Sequence, residues 1–200
     1  MNLTLYAVQG IVILDNTGQR IFARYFSPPH SNNATSTVTG TTTAHSSTAL
    51  AHNVTTQKTF EKALFKKTQK QNADVVLFDG RVVCYKSSAD LVMYVIGNGD
   101  ENELMIYAVV LALRESLELL LRVSIDKRVL QEQYDLLAIT VDEICDDGVI
   151  LETDPVTIST RVTRAPTGME GGVPLDFSEK GLLNAYQMAK KELADRILRG

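Results

Sequence analysis

Apolar and β-branched residues alternate with others from Leu3 to Leu14 and again from Arg20 to Phe26, the period-two signature of strands. Asp15-Asn16-Thr17-Gly18 lies between them and supplies residues that tolerate positive φ, so the pair predicts a β-hairpin. Ile21, Ala23 and Tyr25 share one face of the second strand, and Pro28-Pro29 ends it. The period then changes. From Thr59 to Lys70, Phe60, Leu64 and Phe65 form an apolar stripe with lysines opposite, which predicts a helix. Ala73–Phe78 and Arg81–Tyr85 return to strand character around Asp79-Gly80, a strong hairpin signal. Asp90–Ile96 predicts a further strand, closed by Gly97-Asn98-Gly99.

Helical spacing resumes from Glu101 to Arg122, with Leu104, Tyr107, Val110, Leu111, Leu117, Leu120 and Leu121 in register. Met105, Ile106, Val109 and Leu113 widen the stripe beyond one face. Such a helix is either central in its domain or covered by a partner. Asp126 caps a second predicted helix, Lys127–Ile144, carrying Leu130, Tyr134, Leu137, Val141 and Ile144 and stopped by Gly148. Val149–Leu151 and Val156–Val162 read as extended. Thr163–Gly172 is a Gly/Pro-rich linker. Asp176-Phe-Ser-Glu179 has capping-box form, and Leu182, Leu183, Tyr186, Ala189, Leu193 and Ile197 mark an amphipathic tail helix. The expected class is α+β, with five antiparallel strands sandwiched by helices. The expected division is a domain over residues 1–158 and a linker with tail helix over 159–200.

Ser31–Gln57 breaks both periods. It is about half Ser and Thr and contains no aromatic residue and no Asp, Glu, Lys or Arg. It cannot bury enough apolar surface to offset its ordering entropy and is expected to be a disordered insertion. All three histidines, His30, His45 and His52, lie in it or at its edge. The expected folded part therefore lacks histidine, which removes Ser-His and Cys-His nucleophile systems and most catalytic zinc sites. The net charge is −4, and the basic residues are spread along the chain, unlike the basic stripe of a nucleic-acid binder. Leu104–Leu113 is too short to span a bilayer, and the N-terminus lacks a basic start and a cleavage site. A cytosolic protein is expected. Cys84 and Cys145 read as buried reduced thiols, and the sequons at Asn2, Asn33 and Asn53 read as accidental.

Val141–Pro155, VDEICDDGVILETDP, is rich in carboxylates with no group to work beside them. The pairs Asp142-Glu143, Asp146-Asp147 and Asp100-Glu101 sit at helix ends and turns, where acids are ordinarily solvated. Asp142, Asp146, Asp147 and Glu152 do not match the ligand spacing of a calcium loop. Acids at a helix C-terminus oppose its dipole, so Asp146 and Asp147 suggest a contact with a basic partner surface. Gly97 and Gly99 precede a helix but lack the phosphate-loop pattern, and Asp100, Glu101 and Glu103 would repel phosphate. No catalytic residue, metal or cofactor is assigned.

Five segments together carry a resemblance: GIVILDNTGQRIFARYF, FEKALFKKT, VVCYKSSADLVMYVIG, ENELM and VDEICDDGVILETDP. They resemble the family of coatomer zeta chains and, more broadly, the sigma-type small chains of clathrin adaptors. The resemblance covers nearly the whole chain except Ser31–Gln57. It implies a longin-like fold and a non-enzymatic coat subunit. It further implies an obligate heterodimer with the gamma subunit of coatomer and association with the remaining coatomer subunits. Indirect association with an Arf-type GTPase would place the chain peripherally on Golgi membranes and coated vesicles, in Golgi-to-ER and intra-Golgi transport. The alternatives are a sigma-type clathrin-adaptor chain and a longin-type small-GTPase regulatory module. The extension after ETDP points to zeta rather than sigma. Met105, Val109 and Leu113 of the long helix are candidate partner contacts, as are Leu182, Tyr186, Leu193 and Ile197 of the tail.

Overall fold

A computed structural model describes residues 5–27, 50, 53–69, 73–88 and 90–164. The first hairpin pairs β1 (Val8–Asp15) with β2 (Arg20–Tyr25). Helix α1 (Val54–Thr68) follows, then β3 (Val75–Phe78), β4 (Arg81–Ser88) and β5 (Leu91–Asn98). The five strands form one antiparallel sheet in the order β2-β1-β5-β4-β3. Central β1 and β5 are apolar at nearly every position because both sheet faces are covered. Ile11 and Ile13 point into one core while Val12 and Leu14 point into the other.

The smaller core lies under α1, where Phe60 and Leu64 meet Val12, Leu14, Val83, Tyr94 and Ile96. The larger lies under α2 (Glu103–Leu121) and α4 (Tyr134–Ile144), with the short α3 (Lys127–Glu132) between them in sequence. The expected single helix Lys127–Ile144 is thus two. The break falls at Gln133, whose φ of −113° and ψ of 38° are not helical.

Three further expectations are corrected. Gln57 does not end a disordered insertion. Asn53 accepts from the Thr55 and Thr56 N–H groups and caps α1, so residues 54–57 form its first turn. The rest of the expected insertion, and the tail with Leu182, Tyr186, Leu193 and Ile197, lie outside the described residues. Gly148 does not merely stop a helix. Asp147 and Gly148 have φ of 47° and 88°, a type I′ turn joining β6 (Cys145–Asp146) to β7 (Val149–Ile150). Val156–Val162 is helical rather than extended, within α5 (Pro155–Thr163). The Asp154 carboxylate accepts from Thr157 N–H and Pro155 occupies the first helical position, a start signal that outweighs the β-branched composition. Ile158 of α5 is buried in the larger core, so the first compact unit runs to Thr163.

Candidate interaction surface

The acids of Val141–Pro155 are mostly engaged within the chain. Asp142 pairs with Arg24 of β2. Arg161 of α5 lies 3.3 Å from Glu152 and 4.0 Å from Glu143. Asp147 serves the turn and Asp154 the helix cap. Among the described residues, no three His, Cys, Asp or Glu side chains come together as a metal group. Burial pushes the Cys84 and Cys145 thiols up to about 12, so neither supplies a thiolate near neutrality. No helix among the described residues is long and apolar enough to cross a membrane.

The glycines before α2 answer to packing. A Cβ at Gly99 would lie 2.3 Å from the Gly80 carbonyl oxygen, and one at Gly97 would lie 2.7 Å from the Ile106 side chain. The loop presses on the β3–β4 turn and on α2. Asn102 then accepts from Leu104 N–H and starts the helix.

The more informative surface is apolar. The N-terminal half of α2 lies over β4, where the Cys84 thiol reaches the Glu103 carbonyl at 3.5 Å. Its Tyr107 hydroxyl reaches the Asp74 carboxylate at 3.2 Å, and Lys86 stands over the Tyr107 ring while pairing with Asp74. Edge strand β3 continues this surface. Val75 and Leu77 pair with Cys84 and Val82 and so point to the same side as α2. Leu77 is 63% exposed and Leu104 is 75% exposed, leaving an apolar strip along the sheet edge and the first turn of α2.

The expected contact residues fall unevenly. Met105 is partly exposed beside Leu104. Val109 and Leu113 are fully buried in the larger core and offer a partner nothing. Their breadth of apolar character reflects the central place of α2, which meets the sheet below and α4 and α5 alongside. Leu77 was not singled out by pattern, and Leu104 was read as part of the apolar stripe of the helix rather than as an exposed contact. The available signals were the shortness of the third strand and the position of Leu104 in a first turn, ahead of the buried stripe.

The family model of the clathrin adaptor complex small chain matches residues 7–167, spanning both cores and this strip. The chain belongs to that family. Among full-length relatives, it is 38% identical over 199 residues to coatomer subunit zeta of Saccharomyces cerevisiae, covering 100% of this chain and 98% of that one. It is 37% identical over 196 residues to coatomer subunit zeta-1 of Homo sapiens, covering 98% and 96%. A chain in a homology model of the full-length AP-3 complex in a stretched open conformation superposes with a TM-score of 0.53 at 18% identity. That match covers 78% of this chain and 90% of that chain and shows the shared fold. The expected five-stranded α+β architecture of an adaptor small chain is the one observed.

Proposed function

We propose that this chain is the zeta-type small subunit of a coatomer coat, paired with a gamma-type large subunit. The family is one of coat subunits in vesicle transport, and this chain acts there. The observation that carries the zeta reading is similarity to coatomer zeta chains across 98–100% of this chain, through its final residues. The chain works by assembly rather than turnover, without a cofactor. It sits in the cytoplasm and on Golgi-derived vesicles through its complex, in Golgi-to-ER and intra-Golgi transport.

The exposed strip of Val75, Leu77 and Leu104 is the first candidate for the face covered by the large subunit. A permanent heterodimer typically buries upward of about 2,000 Å² with an apolar centre. The strip supplies such a centre, flanked by the polar Asp74–Lys86 pair. Leu182, Tyr186, Leu193 and Ile197 of the tail are proposed as further contacts, on the amphipathic pattern of that segment.

Co-expression with gamma-type and clathrin-adaptor large subunits tests the assignment. The expected result is a stable one-to-one complex with the gamma type. Leu77→Asp combined with Leu104→Asp is expected to weaken it at least ~10-fold while leaving the thermal melt of the free chain unchanged. A well-behaved monomer without affinity for the gamma-type chain, or selective capture of a clathrin-adaptor chain, overturns the reading.

A further inference from the structure

Helix α1 sorts its charges by side. Glu61, its single acid, is turned inward and buried. Arg20 closes on it with two bonds, at 2.6 and 2.9 Å, and the Tyr25 hydroxyl donates to it at 2.8 Å. Lys58, Lys62 and Lys66 are turned outward, exposed, at i, i+4 and i+8. This spacing aligns them along about 12 Å of one helix face. None forms an ion pair among the described residues. Lys67, by contrast, is occupied, donating to the Leu77 carbonyl at 2.9 Å. A cavity of about 320 Å³ opens between the β1–β2 turn and α1, lined by Gly18, Gln19, Arg20, Lys58, Lys62 and the Glu61 carboxylate.

Like charges four residues apart destabilise a helix. The Ser31–Asn53 segment before the helix holds no acid to neutralise them. Among the described residues the face thus stands without a counter-charge, and it suits an anionic partner. Its composition selects the kind of partner. Lys, Thr and Ala cover the face with no apolar anchor at its centre, whereas stable protein interfaces are depleted in Lys at their cores. Recognition of carboxylates in fixed geometry favours the fork of Arg. Three flexible point charges in a row fit a diffuse layer of phosphates. We propose that the Lys58–Lys62–Lys66 face of α1 is a docking surface for the anionic headgroups of a phospholipid bilayer. From the coat-subunit reading this takes only that the chain works next to a membrane.

The test is flotation of the full chain, alone and with its co-purified large partner, on vesicles of phosphatidylcholine with or without about 30 mol% phosphatidylserine. Binding is expected on the anionic vesicles only, falling as salt rises from roughly 0.05 to 0.5 M. The triple variant Lys58→Gln, Lys62→Gln, Lys66→Gln is expected to bind about 100-fold more weakly, a factor of about five per lysine. It should fold at least as well as the parent by thermal melt, since repulsion along the helix is removed. The triple Arg variant is expected to retain binding. Equal binding by the parent and the Gln variant, or no preference for anionic vesicles, overturns the proposal. So does loss of the large partner with vesicle binding unchanged, which reassigns the face to an acidic protein surface. Loss of vesicle binding with partner affinity intact supports it and leaves the pairing assignment standing.

Discussion

Asp15 shows how a single side chain fixes the geometry at the end of β1. Its carboxylate accepts from Thr17 N–H, Thr17 hydroxyl and Gln19 N–H, which shapes the turn, and from the Lys127 ammonium at 2.8 Å. Burial alone would raise its pKa, but Lys127, Thr17 and the backbone donors outweigh burial and hold it well below the usual carboxylate range. A carboxyl depressed on folding contributes stability above its unfolded pKa of about 3.9 and loses that contribution as pH falls further. Asp15→Asn is therefore expected to cost about 2 kcal/mol from pH 5 to 7. Urea titrations should show the gap between parent and variant shrinking below about pH 4. The turn itself was legible from Asp15-Asn16-Thr17-Gly18. The Lys127 partner was not, because it lies 112 residues away. The acids of Val141–Pro155 taught the same lesson. Their number was plain, but Arg24, the partner of Asp142, lies 118 residues earlier. Local pattern carries no record of such pairings.

At the scale of elements, the two Asp-Gly turns make a matched comparison. Both have left-handed φ at both central residues, and only Asp79-Gly80 was recognised, because β-branched runs flank it. Asp147-Gly148 joins strands of two residues, too short for any periodicity to register. Their surroundings also differ. A Cβ at Gly80 meets nothing within 4 Å, while one at Gly148 would lie 2.5 Å from the Val8 carbonyl oxygen. Val8 N–H also donates to the Gly148 carbonyl at 3.0 Å, so the short hairpin is docked on the start of β1. Gly80→Ala is expected to cost about 1–2 kcal/mol, the left-handed penalty alone. Gly148→Ala should cost at least ~1 kcal/mol more, as the hairpin is forced off β1. Chemical denaturation of the two variants side by side checks the order. The start of α1 and the whole of α5 were missed for a shared reason. Thr and Val fill both: the Ser/Thr-rich run put the start of α1 in a disordered insertion and β-branching made α5 read as extended, which masked the Asn53 and Asp154 caps.

At the scale of the molecule, five antiparallel strands sandwiched by helices were legible in the sequence, and the run Ile11-Val12-Ile13-Leu14 of β1 feeds both cores, but the sheet order was not legible. What the pattern could not supply was which apolar residues remain outside. Val109 and Leu113 widen the stripe of α2 yet vanish inward, whereas Leu77 stays exposed at the sheet edge. Lys67 reaches across to the Leu77 carbonyl, placing a charge on that edge, which discourages strand-to-strand self-association. The unequal size of the two cores has a kinetic corollary. Helix α1 is held by a few apolar side chains and the Arg20–Glu61–Tyr25 cluster, while α2, α4 and α5 share the larger core. Native-state amide exchange is expected to resolve two cooperative units. Amides of α1 would be released by local opening at low denaturant, and those of β1, β5 and α2 only with global unfolding. A single common exchange isotherm would show instead that both layers melt together. Under the first outcome, a binding event on α1 registers as slowed exchange in that helix alone.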